Sequence, residues 1–170
     1  NTNMIMTISN SINNGIVTWR YYVGGFVGRI YSGSYSHSIA LNIINSANKG
    51  IVSANDGMSC GFVCVYPDND FNVNTTIKNS INKGNINAKT SAYGITNNIT
   101  VARNVVSMGD VTGSSGSYTF WNASTDVDLF YGLNGKCINC STRTTLFQYN
   151  TGFYEVVGTG EHVHNLLNDE

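Results

Sequence analysis

The sequence predicts an all-β chain: a parallel β-helix (β-solenoid) of about four coils over residues 1–125, an antiparallel β-hairpin cap over 126–160, and a polar tail over 161–170. Three observations predict it. One phrase recurs, as Asn-Ser-Ile-Asn-Asn-Gly at 10–15, Asn-Ser-Ala-Asn-Lys-Gly at 45–50, Asn-Ser-Ile-Asn-Lys-Gly at 79–84 and, eroded, Asn-Val-Val-Ser-Met-Gly at 104–109. The copies stand 35, 34 and 25 residues apart, which is the period of a structural repeat. Between them run short apolar segments rich in β-branched residues, spaced mostly by two or five, with Ala and Leu scarce; this argues against a helical repeat.

Aligned on Gly15, Gly50, Gly84 and Gly109, the copies share several columns. A β-branched residue follows two positions later (Val17, Val52, Ile86, Val111), and an apolar one stands three before (Ile12, Ala47, Ile81, Val106) and seven before (Ile8, Ile43, Ile77, Ala102). Asn stands five before every time (Asn10, Asn45, Asn79, Asn104) and two before in three copies (Asn13, Asn48, Asn82), with Ser107 in the fourth. Further on, a small residue precedes an apolar one: Gly25-Phe26, Gly61-Phe62, Gly94-Ile95, Thr119-Phe120. Residues 91–100 align with 116–125 without a gap, matching Tyr93 to Tyr118 and Asn97 to Asn122.

The physical reading is strands separated by tight turns, with Gly supplying positive φ and Asn tolerating it. No coil buries a face alone; stacked coils share apolar columns and ladders of Asn amides. Three short strands fit a 25-residue coil, and the longer coils carry about ten extra residues as a protrusion. A β-sandwich or barrel is the alternative fold. Past Thr125 the repeat stops. Residues 128–138 and 144–157 each read as strand, turn, strand, around Asn134-Gly135 and Asn150-Thr151-Gly152, and such hairpins would cover the open end of a coil stack.

Charged residues are 11% of the chain and the net charge is −1, which excludes a basic nucleic-acid footprint or a polybasic membrane patch. No segment reaches the roughly 18 apolar residues of a membrane-spanning helix. The chain starts at Asn1 with no visible signal peptide and reads as a piece of a longer protein. The cysteines fall as Cys60-x3-Cys64 and Cys137-x2-Cys140. If 60–64 is extended, its Cα atoms lie about 13 Å apart, too far for a disulfide. Structural thiols, a disulfide (the 137–140 pair being the better placed) and a zinc half-site stay open.

The run Tyr-Val-Gly-Gly-Phe-Val-Gly-Arg-Ile at 22–30 resembles the Gly-Gly-apolar-Val-Gly core of GLUG-type repeats, found in large bacterial and protozoan surface proteins. Residues 79–88, 92–98 and 120–137 are similar to the immunodominant variable surface antigen-like proteins of trichomonads. The resemblance implies an exported, surface-displayed protein in host contact or adhesion, and it brings no catalytic residues.

Candidate chemistry is sparse. Asp68 with Asp70, and Asp126 with Asp128, are i, i+2 pairs on one strand face, a pattern open to acid–base work or Ca²⁺, but they read first as turn and junction. Glu161-His162-x-His164 reads as a solvated tail, and no metal site or cofactor is expected. Two aromatic-rich protrusions follow equivalent strands of adjacent coils, so a solenoid sets them side by side. Trp19, Tyr22, Arg29, Tyr31 and Tyr35 come from the first, and Tyr66, Asp68 and Asp70 from the second. Rings beside Arg and Asp suit sugar stacking or a protein partner; the competing reading is that the rings pack the core or pin their own loops. Sequons stand at Asn74, Asn98, Asn122 and Asn139; in so Asn-rich a chain they are no evidence of secretion, and Asn74 and Asn122, expected near turns, are the better acceptors. The expectation is a non-enzymatic module at the cell surface or secreted, binding host protein or glycan, or further copies of itself, with neither nucleic acid nor membrane insertion. The alternatives are a filament assembling end to end and a β-helix carbohydrate-active enzyme.

Overall fold

The structure, a computed structural model, describes residues 4–30, 38–66, 72–121, 126–132 and 136–138. No helix lies among them, and the strands join in three sheets whose pairings are all parallel. The architecture is all-β and β-helix-like: each turn of the chain adds a strand to every sheet.

The first turn supplies β1 (Met4–Ser9), β2 (Ile12–Asn13), β3 (Val17–Trp19), β4 (Tyr22–Gly24) and β5 (Val27–Ile30). The second repeats the pattern as β6 (Ser38–Ile44), β7 (Ala47–Asn48), β8 (Val52–Ala54), β9 (Met58–Cys60) and β10 (Val63–Val65). The third and fourth merge neighbours, as β11 (Asn72–Asn82), β12 (Ile86–Ala88), β13 (Ser91–Thr96), then β14 (Val101–Ser107), β15 (Val111–Gly113) and β16 (Gly116–Trp121). β17 (Asp126–Gly132) and β18 (Lys136–Ile138) follow. Sheet one runs β1-β6-β11-β14-β17, with β2 and β7 alongside; sheet two runs β3-β8-β12-β15; sheet three runs β5-β10-β13-β16-β18, with β4 and β9 alongside.

The columns read from the sequence are the columns of the structure. Ile12 pairs with Ala47, Ala47 with Ile81, and Ile81 with Val106. Ile8, Ile43, Ile77 and Ala102 form a second line, and Val17, Val52, Ile86 and Val111 a third. In β6 burial alternates, with Ile39, Leu41 and Ile43 inside. The main core gathers these with Phe62, Val63, Ile77, Ile95, Ile99 and Val105. Phe26 stacks on Phe62, centroids 5.4 Å apart, as their Gly-Phe alignment requires.

Four expectations are corrected. First, positive φ belongs to the asparagines: Asn10 and Asn45 sit at 50° and Asn79 at 46°, while no described glycine has it. Glycine serves close approach instead. A Cβ on Gly50, Gly84 or Gly109 would collide with the carbonyl of the glycine one coil earlier. Second, the gapless match of 91–100 to 116–125 holds to Tyr93–Tyr118 and then slips by one, so Thr96 rather than Ile95 faces Phe120. Third, the strands flanking Asn134-Gly135 are not hairpin partners. β17 lies parallel on β14 and β18 parallel on β16, so parallel stacking continues past the expected boundary at 125. The second expected hairpin and the tail lie outside the described residues. Fourth, Cys60 and Cys64 are joined by a disulfide with Cα atoms 5.4 Å apart. The segment is not extended: β9 ends at Cys60, the chain turns through Gly61-Phe62, and β10 begins at Val63.

Candidate functional site

Adjacent coils bring together three of the eight expected binding residues. Tyr22 lies on β4, Arg29 on β5, and Tyr66 just after β10, the strand that pairs with β5. The two tyrosine rings meet edge to face at 5.1 Å. The Arg29 guanidinium lies 4.4 Å from the Tyr66 ring centre and 5.4 Å from that of Tyr22, within cation–π range. Arg29 is exposed and both rings are half-buried. Tyr22 also packs against the cluster of Cys60, Cys64 and Tyr93, beside Met58. Burial raises the Tyr22 phenol pKa, Tyr66 adds to the rise and Arg29 opposes it, so the phenol stays neutral at physiological pH.

Trp19 belongs to sheet two rather than sheet three, and it is 70% exposed. Tyr31, Tyr35, Asp68 and Asp70 lie outside the described residues, as do His37, Glu161, His162 and His164. Asp126 and Asp128 occupy alternate positions on β17, paired with Val101 and Arg103. Among the described residues no three His, Cys, Asp or Glu side chains gather as metal ligands. Asn74 is exposed on strand β11, and Asn98 is half-buried; Asn122 and Asn139 lie outside the described residues.

Much of the interior polarity is organised as ladders. The Asn13 amide donates to Asn48 Oδ1 at 2.8 Å, and the Asn48 amide donates to Asn82 Oδ1 at 2.7 Å and to the Gly50 carbonyl at 3.1 Å. Gly25 and Gly61 leave space for these amides, since a Cβ on either would press on Asn48 or Asn82. A serine ladder was not foreseen. Each hydroxyl of Ser46 and Ser80 donates to the carbonyl two residues back (Ile44, 2.9 Å; Lys78, 2.7 Å) and accepts the backbone N–H of the serine one coil earlier (Ser11, 3.3 Å; Ser46, 3.2 Å). The signal was present in the shared Asn-Ser of 10–11, 45–46 and 79–80. Asn97 was noted only as a repeat match, yet it imitates a strand edge: its side chain accepts from the Val65 N–H at 2.7 Å and donates to the Val65 carbonyl at 2.6 Å. On the surface, Asp56 pairs with Arg20 at 2.8 Å and Lys89 at 3.7 Å, linking three coils. The Arg20 hydrogen bond is the chief cause holding the Asp56 carboxyl below its ordinary pKa.

No known family model, curated protein or solved structure matches this chain.

Proposed function

We propose that this chain is a non-enzymatic, surface-displayed β-solenoid module of an exported adhesin- or antigen-like protein. Its ligand is a host protein or glycan, held on the surface where the first two coils present Tyr66, Arg29 and the edge of Tyr22. The observation that carries the reading is the convergence of these side chains from consecutive coils. Aromatic rings beside an arginine form the amphipathic surface that protein and sugar partners use. The internal Cys60–Cys64 disulfide agrees with export, since such bonds persist in oxidising compartments. The resemblance of 22–30 to GLUG-type repeats agrees with the parallel coil order.

Glycan-array and host-cell binding with the recombinant chain, beside the Arg29→Ala/Tyr66→Ala variant, test this. The expected result is binding that the double variant loses with an unchanged melting temperature. Binding to neither target refutes the reading. A large loss of stability in the variant would assign Arg29 and Tyr66 to holding the coils together instead.

A further inference from the structure

The Cys60–Cys64 disulfide, against which Tyr22 packs, is fully buried, yet polar groups surround its sulfurs. Cys64 Sγ lies 3.3 Å from the Val23 carbonyl oxygen and 4.0 Å from that of Met58, and Cys60 Sγ lies 3.8 Å from Asn97 Oδ1. A disulfide carries no hydrogen, so it donates to none of these acceptors. Two thiols would donate, since an S–H is a weak donor, and each sulfur already has an acceptor within its reach. The surroundings thus hold hydrogen-bond partners that the oxidised pair leaves unused and the reduced pair needs.

Both acceptors lead to the ring surface. Val23 follows Tyr22 on β4. Asn97 Oδ1 also accepts the Val65 N–H at 2.7 Å, and its amide donates to the Val65 carbonyl at 2.6 Å; Val65 stands immediately before Tyr66. A Cys60 thiol therefore competes with the Val65 N–H for Asn97 Oδ1 and loosens the hold on Tyr66. A Cys64 thiol draws on the Val23 carbonyl, beside Tyr22. Two unbonded sulfurs also need more room than a bonded pair, inside a cluster closed by Tyr22, Met58, Tyr93 and Tyr118. The two site rings touch each other, with Arg29 over Tyr66, so a shift of either ring changes the surface they form.

The coils do not depend on the bond. It closes a loop of sequence separation 4, and so short a loop adds little chain-entropy stabilisation, while the asparagine ladder and the apolar columns join the coils elsewhere. Tyr22, Met58 and Tyr118 are partly exposed, so an attacking thiolate gains the sulfurs by displacing a side chain rather than by opening sheet three.

We infer that Cys60–Cys64 is a reversible redox switch that sets the geometry of the Tyr22–Arg29–Tyr66 surface. The thiolate of a small monothiol attacks one sulfur, the S–S bond breaks, and the other cysteine leaves as a thiolate and takes up a proton. A second monothiol attacks the mixed disulfide, forms the monothiol's own disulfide and releases the first cysteine, which is protonated in turn. Two electrons have passed from the two monothiols to the pair. The consequence for ligand binding rests on the function proposed above, so the test reads the rings with no ligand present.

The full chain is equilibrated with mixtures of reduced and oxidised glutathione, from strongly oxidising to strongly reducing, and trapped in acid. The tryptic peptide 50–78 contains these two cysteines and no others, so its mass after alkylation gives the fraction reduced. Carbon-13 ring signals of Tyr22 and Tyr66, assigned with Tyr22→Phe and Tyr66→Phe, are followed in the same mixtures. The pair should pass from fully oxidised to fully reduced and back. Both ring signals should shift with the same midpoint, and the signal of exposed Tyr21 should stay in place. Cys60→Ser/Cys64→Ser sets hydroxyl donors before the same acceptors and should show the reduced-state signals in every mixture; if that variant does not fold, the titration of the unaltered chain decides alone. The inference is overturned if the pair stays oxidised in the most reducing mixture until urea unfolds the chain. It is equally overturned if reduction leaves both ring signals unmoved, if reduction abolishes the amide-exchange protection of sheet one, or if the folded serine variant shows the oxidised-state signals.

Discussion

Replacing Asn48 by alanine tests whether the amide ladder holds the coils together. The side chain is fully buried and makes three hydrogen bonds. Among the described residues, its loss leaves Asn82 Oδ1 without an amide donor and the Gly50 carbonyl without a side-chain donor, both in buried residues. A buried polar group left unpaired costs about 1–3 kcal/mol, so two of them set a loss of about 4 kcal/mol. Asn13→Ala is the control. Asn13 is half-exposed, so water can take over both its bonds, to Asn48 Oδ1 and from the exposed Gly15 N–H, and the loss should be about 1 kcal/mol. With a urea m-value of about 2 kcal/mol/M, the unfolding midpoint should fall by about 2 M for Asn48→Ala and about 0.5 M for Asn13→Ala. Asn48→Asp sharpens the test. A buried carboxylate faces two acceptors without a donor, and protonation restores one donor, so this variant should gain stability as the pH falls below neutral. Equal midpoints for the two alanine variants, or an Asn48→Asp variant that only loses stability in acid, would refute the ladder as a source of stability.

Other outcomes follow from the same geometry. Ser80→Ala should cost about 1–2 kcal/mol because it breaks the hydroxyl's bonds to the Lys78 carbonyl and the Ser46 N–H; Ser107→Ala should be neutral or stabilising in urea unfolding, because its buried Oγ has no hydrogen-bond partner among the described residues. Cys60→Ala/Cys64→Ala should lower stability by about 2 kcal/mol, the loop-closure value for so short a loop, and alkylation before and after reduction should label this pair only after reduction. Gly84→Ala should cost about 3 kcal/mol or more, since its Cβ would overlap the Gly50 carbonyl. Asp56 has a depressed folded pKa, so its pairing stabilises above the unfolded carboxylate value of about 4 and is lost as pH falls through the folded value; Asp56→Asn should flatten that part of a melting-temperature profile and hardly change the neutral-pH value, and added salt should shrink the difference.

The sequence made the stacking legible because a repeated coil repeats its contacts. Matching Asn48 to Asn82, or Val52 to Ile86, at constant offset from a glycine amounts to reading parallel register. What escaped were features whose meaning depends on a corner. Cys60 and Cys64 look too distant until Gly61 is recognised as the equivalent of Gly25, where β4 gives way to β5, and of Gly94, near which β13 shifts register. Asn134-Gly135 carries the composition of a hairpin turn, and with the phrase gone from 126–132, nothing marked β17 as another rung. The one-residue slip after Tyr93 is a register shift, which a gapless alignment cannot express. Of the candidate site, Tyr22, Arg29 and Tyr66 were legible as neighbours because adjacent coils superpose equivalent strands. The ring geometry was not legible, since it depends on how Tyr22 leans against a disulfide that was itself unread.

The division of labour between apolar and polar columns explains why so Asn-rich a sequence holds one arrangement. Short parallel strands carrying Ile and Val at alternate positions can slide by two residues and still bury apolar surface, so the columns through Ile43 and Val52 stabilise stacking but specify register weakly. Directional groups admit no such slide. An Asn48 amide displaced by two residues faces backbone in place of Asn82 Oδ1, and a displaced serine loses its N–H partner while its hydroxyl stays buried. The left-handed asparagines at 10, 45 and 79 fix where each strand of sheet one turns, so the ladders of consecutive coils begin at the same height. Buried polar side chains are costly when unpaired. That cost makes the first three coils selective for neighbours bearing the same phrase.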